Sequence, residues 1–88
     1  MPRYLIERSI GRLTRDELDA AVRNSLGVIA TMPGIVWIRS YVSDVEGKIY
    51  CEWDAPSVDS VVEHARRAGL PVDHVTEVSL ELSPTMFR

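Results

Sequence analysis

The 88-residue sequence holds one cysteine, Cys51, and neither a Cys-x-x-Cys nor a His-x-x-x-His pair. No internal disulfide can form, and compact zinc spacing is missing. There is no glycine-rich phosphate loop and no nucleophile elbow, and the order of serines and histidines matches no hydrolase motif. Positive charge is not in surplus either. Thirteen acidic residues against ten basic ones leave a net charge of −3, and the single basic pair, Arg66-Arg67, is too short for a nucleic-acid surface. The longest apolar stretch, Leu26 to Ile38, is broken by Thr31, Pro33 and Gly34 and falls far short of a membrane span. The N-terminal "MPRYLIERS" reaches Glu7 too soon to form the apolar region of a signal peptide. The expectation is a cytoplasmic chain with no nucleic-acid or membrane partner.

What is present is an ordinary globular composition, 45% hydrophobic and 26% charged, sufficient for one modest core. Residues 1–88 are read as one domain. "RYLIERSI" alternates as a first strand and ends at Gly11. Thr14 and Glu17 have capping-box spacing, and Leu18, Ala21, Val22, Ser25, Ile29 and Met32 recur at helical intervals before Pro33-Gly34. Gly27 inside that helix costs about 1 kcal/mol relative to alanine. "GIVWIRSYVSDVEGKIYCEWDAP" supplies two strands joined by a four-residue loop, Asp44 to Gly47. Ser57 caps a second helix with an apolar stripe of Val58, Val61, Val62, Ala65 and Ala68. Gly69 ends it in a left-handed cap, and Pro71 follows. "HVTEVSLEL", His74 to Leu82, alternates as the last strand.

The order β-α-β-β-α-β predicts the α+β ferredoxin-like split βαβ fold. Right-handed crossovers place the first and third strands centrally and both helices on one face of an antiparallel sheet. The other face is left open. Strict alternation turns Val36, Ile38, Val42, Ile49, Cys51, Trp53, Val78, Leu80 and Leu82 toward the helices. It gathers Glu7, Trp37, Arg39, Tyr41, Tyr50, Glu52, Ser79, Glu81 and Glu77 on the open face, with Tyr41 opposite Tyr50 and Arg39 opposite Glu52. That face is either a solvated surface with an Arg39–Glu52 pair worth roughly 0.2–1 kcal/mol, or a cavity closed by a second subunit. An aromatic-bearing face of this size favours a homodimer. Inside such a dimer Glu7 or Glu52 could act as a general base. Cys51 reads as a buried structural thiol. His64 falls off the centre of its helical stripe, as boundary residue or ligand, and His74 opens the last strand in solvent.

The stretches "WIRSYVSDVEGKIYCEWDAP" and "EHARRAGLPVDHVTEV" carry a further signal. Trp37, Arg39-Ser40-Tyr41, Tyr50-Cys51, Ala55-Pro56, His64-Ala65, Gly69, Pro71 and Glu77, with Glu7-Arg8, resemble the pattern of a small bacterial ferredoxin-like family. That family is largely of unknown function and includes a nickel-binding protein. The resemblance runs from about residue 3 to residue 82. It implies a homodimer that binds or sequesters a divalent metal, nickel ion first. Of the motif residues His64 alone has obvious ligand chemistry, which makes it the leading candidate ligand, with Glu63, His74 and Glu77 as helpers. A non-catalytic metal-binding role is the first expectation. The alternatives are a dimeric α+β-barrel enzyme, monooxygenase- or isomerase-like, and a small-ligand-binding protein using the open face.

Overall fold

A computed structural model describes residues 1–87. The elements run β1 (Arg3–Ser9), α1 (Arg15–Ile29), β2 (Val36–Ser43), β3 (Lys48–Asp54), α2 (Val58–Ala68) and β4 (His74–Val78), followed by a short 3₁₀ turn at Pro84–Phe87. The strands form one antiparallel sheet in the order β2-β3-β1-β4, so β1 and β3 are central as the topology requires.

The helix boundaries follow their capping chemistry. Thr14 accepts from the Glu17 amide while the Glu17 carboxylate accepts from the Thr14 amide, the reciprocal capping box. Ser57 accepts from the Ser60 amide to start α2. Gly69 closes α2 at φ 67°, where any β-carbon is strained.

Packing is uneven between the two helices. Val61, His64, Ala65 and Ala68 of α2 are buried, and Tyr4, Ile6, Cys51 and Trp53 meet them from β1 and β3. Burying each large apolar side chain there is worth about 1.5–3 kcal/mol, which makes this the main stabilising contact. On α1 only Ser25 is buried. Leu18, Ala21 and Val22 stay half-exposed above a cavity partly open to solvent.

The expected face assignment fails in two strands. In β2 the register shifts between Trp37 and Arg39, leaving Ile38 as the extra residue of a bulge. A bulge sets two residues against one and resets side-chain parity. Trp37 therefore stands opposite Trp53 on the helix side, not on the open face, and packs against the core. Val36, expected inside, lies opposite Asp54 and is exposed. Beyond the bulge the expected register holds: Arg39 is opposite Glu52 and Tyr41 opposite Tyr50.

In β4 the parity is the reverse of the expectation. Glu77 pairs with Tyr4 and Val75 with Ile6 on the helix side, while His74, Thr76 and Val78 share the open face with Glu7, Leu5 and Arg3. The strand ends at Val78, and Leu80 and Leu82 are exposed in the tail rather than buried. Glu77 is tolerated on the helix side because β4 is an edge strand and its carboxylate remains in solvent.

Candidate functional site

The open face is built from the alternate residues of four strands. Its expected members Glu7, Arg39, Tyr41, Tyr50 and Glu52 are all there, and Trp37 and Glu77 are not. The register adds Arg3, Leu5, Lys48, Asp54, His74 and Val78.

Ion pairs cross the face. Arg3 Nε donates to Asp54 Oδ1 at 3.0 Å, and that partnership holds the Asp54 carboxyl below its ordinary value. Lys48 Nζ lies 3.4 Å from Glu7 Oε2. Arg39 Nε is 3.8 Å from Glu52 Oε1, with the Arg39 side chain mostly in solvent. Tyr50 donates to Glu46 at 2.9 Å, and the hydrogen bond to that carboxylate raises the phenol above its ordinary value. Between these pairs runs a shallow groove of ≈ 380 Å³ over Leu5, Tyr41, Tyr50, Glu52, Val78 and Leu80. Glu7 and Glu52, the two carboxylates a general-base reading requires, are thus each matched with a cation.

The four expected metal ligands do not converge: Glu77 lies on the helix side of β4, and His64, Glu63 and His74 are in three further environments. His64 is 1% exposed, not a boundary residue. Its Nε2 lies 3.0 Å from the Ser25 hydroxyl, and its ring packs against Trp53 at a centroid distance of 4.5 Å. Burial, reinforced by the Arg8 charge, lowers its pKa and keeps it neutral near pH 7. Glu63 is clamped by Arg66 and Arg67, with contacts of 2.7 Å to each. Those hydrogen bonds bring its carboxyl down to about 2. His74 is exposed on the open face, opposite Glu7 in the β1–β4 ladder.

Among the described residues no group of three or more His, Cys, Asp or Glu side chains converges as a metal cage. The described residues of one chain therefore bring together no full set of such side-chain ligands. The nearest approach to metal chemistry is the cross-strand pair of His74 and Glu7, one imidazole beside one carboxylate on an accessible surface. Cys51 is a free, buried thiol among apolar neighbours, the environment of a structural cysteine. No helix is long and apolar enough to cross a membrane among the described residues.

No curated protein matches the chain in sequence. Among solved structures, SCO4226 from Streptomyces coelicolor A3(2) is 26% identical with a TM-score of 0.81, over 91% of this chain and 99% of that one. The heavy metal binding protein TM0320 from Thermotoga maritima, solved by NMR, shares the fold at 17% identity. Its TM-score is 0.50, over 86% of this chain and 98% of its own. The family described as "Nickel responsive protein SCO4226-like" matches residues 4–78, nearly all of the β-α-β-β-α-β unit, and the chain belongs to that family.

Proposed function

We propose that this protein is a homodimeric, non-catalytic metal-binding protein of the cytoplasm with nickel as its cargo, and that two copies complete the ligand set across their open sheet faces. The observation that carries the reading is the His74–Glu7 pair on that face. One imidazole and one carboxylate are too few for a stable site, but a two-fold axis presents each patch to its own copy and doubles the count. Imidazole with oxygen ligands suits nickel, copper or zinc better than calcium. The family's nickel-responsive description is the reason to place nickel first. Lys48 already holds Glu7, so the ion must displace that ammonium to gain the carboxylate. Leu5, Val36 and Tyr41, exposed by 42%, 45% and 55%, supply apolar surface for the contact.

The test is native mass spectrometry of the tag-free protein with nickel, zinc and copper in turn. The expected result is a dimer retaining nickel at a defined stoichiometry, and loss of that nickel in His74→Ala/Glu7→Gln. A monomer, or nickel uptake unchanged by the double substitution, would overturn the reading. A second reading, a small-ligand site on the same face, is favoured by the groove of ≈ 380 Å³. It predicts a dimer without selective metal uptake.

A further inference from the structure

On the opposite side of the sheet, a cavity of ≈ 90 Å³ lies between α1 and strands β1, β2 and β3, partly open to solvent. That is several times the roughly 10–15 Å³ one water requires. Close-packed interiors hold few voids of that size. It exists because α1 packs thinly. Ser25 is the one buried residue of that helix, and Leu18, Ala21 and Val22 form the cavity roof half-exposed. Trp37, Ile49 and Trp53 line it from the sheet.

The wall offers almost nothing polar. Its two serine hydroxyls are engaged within the wall, Ser25 with His64 at 3.0 Å and Ser40 with the Trp37 indole at 2.9 Å. Arg8 belongs to the lining, but its Nε and Nη2 are sealed in the packing, as is Trp53 Nε1. The remaining Arg8 nitrogen, Nη1, donates to the Pro71 carbonyl at 2.8 Å. What these residues turn toward the space is carbon. A water needs roughly two to four polar partners to settle in a cavity, and this wall gives it none. An unfilled apolar cavity in turn forfeits dispersion contacts for its lining atoms.

We infer that the cavity beneath α1 is a binding site for a small neutral apolar molecule, about the size of a benzene ring. An engineered apolar cavity of about 150 Å³ in another protein stays dry and takes up benzene or xenon. The present cavity is smaller but open on one side, so its guest can extend past the rim. The two tryptophan rings in the wall favour an aromatic guest through offset or edge-to-face contacts. An ionised or strongly polar ligand is refused, because nothing in the wall replaces its lost hydration. The site lies on the far side of the sheet from His74 and Glu7, so it stands independently of metal binding.

The test titrates the isotope-labelled full chain with benzene and follows its amide and indole N–H signals by NMR. Trp37 and Trp53, the only tryptophans, both line the cavity and report from inside it. The expected result is a saturable shift of both indole signals, accompanied by a rise in Tm. Pyridine has the same size but carries a ring nitrogen that the wall leaves unpaired, and it should bind about tenfold more weakly or worse. Ala21→Leu fills the cavity from its roof and should abolish the indole response. Val22→Phe fills it by a second route, should Ala21→Leu fail to fold. No saturable indole shift from the wild type would overturn the assignment. So would pyridine binding as tightly as benzene, unchanged binding in a folded filled variant, or shifts confined to the open-face residues Leu5 and Val78.

Discussion

Replacing His64 by alanine separates a structural histidine from a metal ligand, and the size of the effect can be worked out in advance. The side chain is 1% exposed, so the change acts wholly inside the core. Ser25, itself buried, loses the acceptor or donor 3.0 Å away, and an orphaned buried hydroxyl costs roughly 1–3 kcal/mol. Loss of the ring contact with Trp53 adds roughly 0.5–1.5 kcal/mol. His64→Ala should therefore destabilise by about 3 kcal/mol, a large share of the roughly 5–15 kcal/mol of a native domain. Ser25→Ala alone should cost less, because the imidazole keeps its stacking. His64→Phe/Ser25→Ala replaces both partners by apolar groups and should recover most of the loss. Urea denaturation followed by tryptophan fluorescence gives all of these values, and the single and double alanine variants give the coupling between the two sites. A cost below about 1 kcal/mol for His64→Ala, or strict additivity with Ser25→Ala, would refute this account. The folded double variant carries a second consequence: its nickel uptake should match the wild type.

Acid should weaken the same contact. Burial lowers the His64 pKa below its ordinary 6.5, so below that value the unfolded chain binds the proton first, and stability falls with pH toward the folded value. Urea midpoints should drop less between pH 7.5 and 5.5 in His64→Phe/Ser25→Ala than in the wild type; equal drops would contradict the assignment. Gly69→Ala should cost about 1 kcal/mol from backbone strain alone, since nothing lies within 4 Å of the added β-carbon; an unchanged Tm would count against the left-handed cap. Thr14→Ala removes one arm of the capping box and should cost about 1 kcal/mol, readable in the same denaturation assay. Tyr41→Glu puts a charge in the middle of the proposed dimer face and should yield a monomer in sedimentation; an intact dimer would move the interface elsewhere.

Much of this architecture could be read from the amino acids because local and global signals agreed. Thr14-x-x-Glu17, Ser57 after Pro56, and Gly69 before Pro71 marked the helix ends, and the pairing of Arg39 with Glu52 followed from matching like faces of β2 and β3. The misplacements have two physical origins. Parity propagates along a strand only until something resets it, and the bulge at Ile38 leaves no mark in an unbroken run of β-formers, so Trp37 was put on the wrong face. The edge position of β4 had a similar effect, since an exposed edge lets Glu77 sit on the helix side at little cost. Arg8 was ambiguous for a different reason. A buried arginine without a carboxylate contradicts the usual burial pattern, and only the three-dimensional packing shows that it lines a cavity. The separation of His64, Glu63 and His74 was equally hidden, because spacing along the chain does not say which side of a sheet a residue faces.

The bulge at Ile38 also bears on how this chain meets other chains. The sheet has two free edges, β2 and β4. A regular, flat edge is a template for unwanted strand addition and, in the extreme, for fibril growth. The bulge interrupts the hydrogen-bonding rhythm of β2 and twists it away from a would-be partner, while β4 offers only five residues. Neither rim is a good docking strip for a foreign strand. The same extra residue that draws Trp37 inward thus works against end-on polymerisation.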